Sequence, residues 1–265
     1  MSNSITKISC VIITLNAGET LYRVLKSADF FDEVIVLDTG SSDQTVELAK
    51  SFNNVRVFES NFQGFGPTKR LAVSKASNDW VFSLDADEVI SEELRSALLS
   101  TDLLSVNLIG MVSRENYLLG KKITHAGWGD DFLLRLFNRN FTNFNEKLVH
   151  EAVKIPDDAN QFQLKGVLSH LAVERLDQML LKVSRYSALR DDEAKKPPLA
   201  MPFILTIVCW KFFQTYFLRK AFLEGWRGVV IAFSNATSAF WHHARRYERV
   251  SLEKNRIDEK GILDE

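Results

Sequence analysis

The sequence predicts an α/β fold, a mostly parallel open sheet flanked by helices with a helical extension behind it, and three observations carry that prediction. Apolar runs of strand length alternate with helix-like stretches over residues 8–84. The links between them are short, as in parallel strands joined by crossover helices. Beyond about residue 175 the strand pattern gives way to a basic, aromatic-rich region of helical character. The expected organisation is one α/β domain over residues 1–175 and a helical extension over residues 176–265.

Ile8–Thr14 is an unbroken apolar run, the mark of a strand covered on both faces. After the turn Leu15–Glu19, the residues Leu21, Val24, Leu25 and Ala28 recur at helical spacing. Glu33–Asp38 is a second strand, followed by the turn Thr39–Asp43 and a helix over about Gln44–Phe52. Val55–Phe58 is a third strand. Gly64-Phe65-Gly66 then opens a helix running through Lys69, Leu71, Ala72 and Ala76, and Trp80–Leu84 is the fourth strand. A further helix starts near Ser91.

That fourth strand ends in Asp85-Ala86-Asp87-Glu88, three carboxylates within four positions. Acids so close repel one another and need solvent, a basic partner or a divalent cation. One reading is a Mg²⁺ or Mn²⁺ site for a nucleotide diphosphate; the other is a solvated acidic turn before the next helix. In a parallel sheet the turns after all four strands converge on one edge, the usual ligand edge of such folds. The edge would gather Asp38, Asp43, Asp85, Asp87 and Glu88, with Lys69 and Arg70 on a nearby helix. Asp38 suits a base N–H or a ribose hydroxyl, whereas Asp43 reads first as a helix cap. Neither Gly-x-Gly-x-x-Gly nor a phosphate-loop motif occurs, so phosphate neutralisation falls to a metal at Asp85 and Asp87.

The net charge of −1 conceals a division. Residues 1–164 carry 16 Lys/Arg against 22 Asp/Glu, and residues 165–256 carry 16 against 8. A basic back half fits nucleic acid or anionic lipid. From Leu199 to Leu218 the chain is almost wholly apolar, which favours lipid and argues against nucleic acid. Lys211 and Gln214 interrupt the run and Pro202 would kink it, so a helix lying on an anionic membrane surface is expected rather than a span. Lys195, Lys196, Arg219 and Lys220 bracket it. The alternative is a core helix covering the sheet. Tyr247–Arg256 and His242-His243 read as solvated. Cys10 and Cys209 lack partners at ligand spacing and read as buried thiols in a reducing compartment. No basic-then-apolar leader is visible at Met1–Ser4, and a cytoplasmic location is expected.

The ordered set Thr14-Leu15-Asn16, Val36–Asp43, Gly64-Phe65-Gly66 and Leu84–Glu88 resembles family 2 glycosyltransferases with the Rossmann-like GT-A fold. Gly127-Trp128, Asp131, Arg135-Leu136-Phe137 and Val149-His150-Glu151 resemble a narrower group, the bacterial β-1,4-glucosyltransferases of the lipopolysaccharide inner core. The resemblance covers about residues 5–175 well and the remainder more loosely. It implies a nucleotide-diphosphate sugar donor (UDP-glucose being favoured), a divalent metal and inversion at the anomeric carbon. Thr14, Asn16 and Asp38 would line the nucleoside pocket, with Lys69 near base or phosphate. Asp85 would lie near ribose or metal, and Asp87 would ligate the metal. Two departures bear on base recognition: Ala17-Gly18-Glu19 follows Asn16 where the family often has an acid, and Arg70 stands where many members have an amide.

Inverting transfer needs one carboxylate to take the acceptor proton while cations stabilise the leaving diphosphate. Asp130 and Asp131 are the candidates, and the family pattern, an acid four residues before Arg-Leu-Phe, selects Asp131. Arg135 would orient that acid or the diphosphate. His150 would complete the metal shell, with His170 the weaker candidate. The acceptor implied is a lipid-anchored glycan, a heptose of the inner core, and the site of action the cytoplasmic face of the inner membrane. A polyprenyl phosphate or polypeptide acceptor and a non-catalytic sugar-nucleotide or lipid-surface module are the alternatives.

Overall fold

The computed structural model describes residues 7–129, 131–192 and 197–263. The chain divides into two compact units: Met1–Tyr117 with Asp130–Ala172, and Leu118–Gly129 with Val173–Glu265.

In the first unit β1 (Ile8–Thr14), β2 (Glu33–Asp38), β3 (Val55–Glu59) and β4 (Trp80–Ser83) run parallel in the order β3-β2-β1-β4. They are linked by α1 (Gly18–Ser27), α2 (Thr45–Lys50) and α3 (Phe65–Ser74). Strand alternation divides the apolar residues between two cores. Cys10, Ile12, Val34, Val36 and Phe82 pack with Leu21, Val24 and Leu25 of α1. Val11, Ile35, Leu37 and Val81 pack with Ala72 and Val73 of α3. Burial on both faces is why these strands read as continuous apolar runs.

The sheet continues with β5 (Glu88–Ile90), then, after α4 (Glu92–Ser100), with β6 (Leu108–Leu118), β7 (Lys121–Ile123), β8 (Asp131–Asn138) and β9 (Asn160–Val173). The order beyond β4 is β8-β6-β9-β5, with β7 paired to β6. β8 is antiparallel to both β4 and β6, and β5 to β9. Because β8 runs opposite to β4, its first residue, Asp131, lies at the edge where β1, β2 and β4 end. Ser91 caps α4, its hydroxyl accepting from the Leu94 amide. Glu88 therefore stands in a short strand opposite His170 rather than in a solvated turn. Three residues are too few for periodicity to reveal a strand. The second helix is shorter than the sequence pattern predicts, ending at Lys50.

The second unit joins a hairpin segment, Leu118–Gly129, to α5 (Leu176–Asp192), α6 (Met201–Phe213), a widened turn of helix at Gln214–Leu218, a tight turn at Ala221–Glu224 and α7 (Trp226–Leu263). Its core joins Leu118, Ile123 and Ala126 of the hairpin to Val173, Met179, Ala221 and Ile231. At Gly228 a Cβ would fall 1.7 Å from the Ala221 carbonyl oxygen, so only glycine lets that turn close on α7. Glu224, with a side chain 4% exposed, accepts from the amides of Thr124 (3.0 Å) and His125 (3.1 Å) and pairs with Lys121 at 3.3 Å. Burial alone would push its carboxyl up, but His125, Thr124 and Lys121 hold it down to about 2.

Pro202 sits in the first turn of α6 and starts the helix rather than kinking it. Met201–Leu218 is one helix long and apolar enough to cross a membrane, and only 11% of it is buried. Phe203, Leu205, Trp210, Phe217 and Leu218 are each half exposed or more. Arg219 and Lys220 are exposed at its end; Lys195 and Lys196 lie outside the described residues. Tyr247, Glu248 and Val250 are exposed, as expected, but His242 and His243 are half-buried. His242 Nε2 lies 3.0 Å from Arg246, and burial with that cation pushes His243 down. Cys10 is buried, its thiol pushed up by desolvation, whereas Cys209 is exposed, contrary to the sequence reading.

Candidate active site

The turns after β1 and β2 are tied to one another. Asn16, in a left-handed conformation (φ 50°), accepts from the Ser42 amide at 2.8 Å and donates its own amide to Ser41 Oγ at 2.8 Å. Asp38 is buried and accepts from the amides of Gly40 (3.0 Å) and Ser41 (2.9 Å). Its carboxylate therefore shapes this turn, and a base or ribose would share it. Asp43 accepts from the amides of Thr45 (3.0 Å) and Gly18 (3.2 Å), the first residues of α2 and α1, although the cap positions themselves are Gln44 and Ala17. Burial opposes its charge, yet those donors hold the carboxyl below its usual range. Thr14 is buried at the end of β1, and among the described residues its hydroxyl has no hydrogen-bond partner. A buried hydroxyl left unsatisfied costs about 1–3 kcal/mol, which a bound polar ligand would recover.

The acids of the edge form an alternating chain of charge. Glu151 pairs with Lys69 at 2.8 Å, and Lys69 with Asp85 Oδ1 at 2.8 Å. Asp85 Oδ2 meets Arg135 at 2.7 Å, and Arg135 meets Glu88 at 2.6 Å. Glu88 in turn contacts Arg114 at 3.4 Å, and Arg114 pairs with Asp131 Oδ2. The middle is dry: the side chains of Glu88, Arg135 and Lys69 are 0%, 5% and 6% exposed. Burial by itself would raise the Asp85 carboxyl, but Arg135 and Lys69 outweigh it and hold the group well below the usual range. Burial opposes the charge on Arg135 as well, and Asp85 and Glu88 more than offset that. At Glu88, burial and the neighbouring Asp85 push the carboxyl up against the pull of Arg135.

Asp85 thus has both oxygens engaged by cations; Asp87, about as exposed as Asp85 (30% against 29%), is not part of that chain of ion pairs. Its neighbour is His170, with Nε2 3.3 Å from Asp87 Oδ2. The other ring nitrogen, Nδ1, lies 2.6 Å from Asn116 Oδ1, so the imidazole is held in one orientation between Asn116 and Asp87.

Several placements depart from the sequence reading. His150 is exposed, left-handed (φ 57°), and among the described residues makes no contact with Asp85 or Asp87; His170 takes the place beside Asp87. Arg135 does not reach Asp131, because four residues along a strand span about 13 Å. Arg114, the cross-strand partner of Asp131, does. Lys69 is buried between two carboxylates rather than open to a base. Asp130 lies outside the described residues. The Gly64-Phe65-Gly66 turn brings Glu151 to Lys69: the amides of Phe65 and Gly66 donate to Leu148 (2.9 Å) and Lys147 (3.0 Å). A Cβ at Gly66 would stand 2.3 Å from the Asn145 carbonyl oxygen. Arg114 and Asn116, two apart in the apolar run of β6, are the signal that sequence reading passed over.

Strand-end acids beside a buried, unsatisfied hydroxyl define an α/β enzyme that takes its ligand at the carboxyl edge of the sheet. Glycosyl transferase family 2 matches residues 9–101. The lipopolysaccharide core biosynthesis glycosyltransferase LpsC of Rhizobium meliloti is 30% identical over 259 residues, covering 92% of this chain and 93% of its own. An uncharacterized glycosyltransferase of Rickettsia typhi is 28% identical over 278 residues, covering 97% of this chain and 92% of its own. The solved glucosyl-3-phosphoglycerate synthase of Mycobacterium tuberculosis with Mn²⁺, UDP and glucosyl-3-phosphoglycerate overlaps 42% of this chain and 44% of its own, at 25% identity and a TM-score of 0.35. The chain belongs to glycosyl transferase family 2. It is a glycosyltransferase with the GT-A fold.

Proposed function

We propose that this enzyme transfers glucose from UDP-glucose, with inversion, to a heptose of a lipid-anchored lipopolysaccharide core at the cytoplasmic face of the inner membrane. The observation that supports the reading is that the Asp87–His170 pair and Asp131 lie at one sheet edge, with Asp131 tied through Arg114 to the buried Glu88. Asp131 takes the proton of the acceptor hydroxyl as the bond to the anomeric carbon forms, and the nucleotide diphosphate leaves. Thr14, Asn16 and Asp38 hold the nucleoside, Thr14 through its unsatisfied hydroxyl.

Among the described residues no three His, Cys, Asp or Glu side chains converge as a closed metal shell. The Asp87 carboxylate nevertheless suits Mg²⁺ or Mn²⁺, which complete their shells with phosphate oxygens and water, and an adjacent imidazole favours Mn²⁺ over the harder Mg²⁺. Asp87 and His170 would hold the ion, which supplies positive charge to the departing diphosphate. Likeness to the Rhizobium lipopolysaccharide core glycosyltransferase supports the acceptor. A panel of sugar nucleotides, tested with heptose-terminated lipopolysaccharide and with Mn²⁺, Mg²⁺ or chelator, should give transfer from UDP-glucose that chelation abolishes. Transfer that is indifferent to chelator, or specific for another donor, would overturn the corresponding part of this reading.

The second unit would hold the enzyme on the membrane through the exposed side chains of α6, with Arg219 and Lys220 meeting anionic headgroups. Each such cation near the surface contributes on the order of 1 kcal/mol, and salt screens it. Flotation should recover the protein with anionic vesicles, less so as salt rises, and poorly with neutral ones. Equal recovery on both would refute electrostatic docking, and resistance to high salt and alkaline extraction would point to a span.

A further inference from the structure

We propose that Arg114 is the positioning residue for Asp131, itself anchored from behind by the buried Glu88; this rests on the reading of Asp131 as the base. Asp131 is the first residue of β8, and its side chain is 39% exposed. A carboxylate in that position turns freely unless something holds it. The register sets Arg114 of β6 directly across from it, and one arm of the guanidinium bonds Asp131 Oδ2. The other arm points to Glu88 Oε1 at 3.4 Å, and Glu88 is fully buried and fixed by Arg135 as well. One planar fork therefore ties an exposed acid to an immobile one. Lysine, with a single point of attachment, cannot make both contacts in the same geometry.

The pair contributes little to stability, since solvent screens partly exposed ion pairs. Its effect is on orientation: Oδ2 is held, and Oδ1 is left to meet the acceptor hydroxyl. Misplacing a reacting group by about 1 Å costs on the order of 10²-fold in rate. The same clamp links the donor side of the site to the acceptor side, because Glu88 grips Arg135, and Arg135 grips Asp85.

The test compares Arg114→Gln, Arg114→Lys, Asp131→Asn and the double variant Arg114→Gln/Asp131→Asn, using the donor and acceptor that the wild type turns over. Arg114→Gln should lower kcat by about 30- to 100-fold with donor KM and thermal midpoint little changed, and Arg114→Lys should recover about tenfold of it. In the Asp131→Asn background, Arg114→Gln should add less than about twofold, as expected of residues acting as one unit. An Arg114→Gln enzyme with wild-type kcat beside an inactive Asp131→Asn enzyme would overturn the proposal while leaving the base in place. Joint loss of kcat, donor binding and thermal midpoint without rescue by lysine would also overturn it, in favour of a structural role. An active Asp131→Asn enzyme would remove the base reading itself.

Discussion

Asp87→Ala should abolish transfer, with a loss of at least about 10³-fold, because the charge it would help supply to the leaving diphosphate is worth several kcal/mol at about 1.36 kcal/mol per decade. The fold should be unaffected. Asp87 is partly exposed at a strand end, and side chains of that kind change stability by about 0.5–1 kcal/mol at most. Mn²⁺-dependent binding of UDP-glucose, followed by calorimetry, should vanish with it. His170→Ala should behave in the same direction, whereas His150→Ala should leave binding intact, since His150 is exposed and His170 is the imidazole beside Asp87. Unchanged Mn²⁺-dependent binding in Asp87→Ala would sink the metal assignment. The reverse ranking of the two histidines would restore the reading from the sequence.

Asp131→Asn should remove turnover by about 10²–10⁴-fold while donor binding stays at its wild-type value, because a base acts only as the acceptor proton leaves. Asparagine keeps an oxygen for Arg114 and nearly the same shape, so the loss would report proton transfer rather than packing. A variant retaining more than about a tenth of wild-type kcat would move the role elsewhere, with Asp130 next in line.

The parallel half of the fold was legible because its signals are local. Strands buried on both faces leave apolar runs, and the acids at their ends stand out against them. What was not legible depends on pairing between distant segments. His170 reaches Asp87 because β9 pairs with β5 in a register that sets Glu88 opposite His170, and nothing near either residue encodes that choice. His150 was singled out by the resemblance of Val149-His150-Glu151 to the family; in the fold Glu151 pairs with Lys69 and His150 is exposed. Arg135 was misread for a geometric reason. It shares a strand with Asp131, and extended backbone keeps the two apart, whereas Arg114 is distant in sequence and adjacent in space.

The path of the chain also limits how the enzyme can be shortened. Between Tyr117 and Val173 the backbone leaves the first unit, visits the second through Leu118–Gly129, and returns to begin β8 at Asp131. Leu118, Ile123 and Ala126 of that excursion are at most 1% exposed, and they are covered by Val173, Met179, Ala221 and Ile231. A cut after residue 175 would remove three of those four and also Glu224, whose carboxylate gathers the amides of Thr124 and His125. The bared hairpin leads into β8, whose first residue is the proposed base Asp131, so a chain cut there should express with lower solubility and a lower thermal midpoint than the full chain.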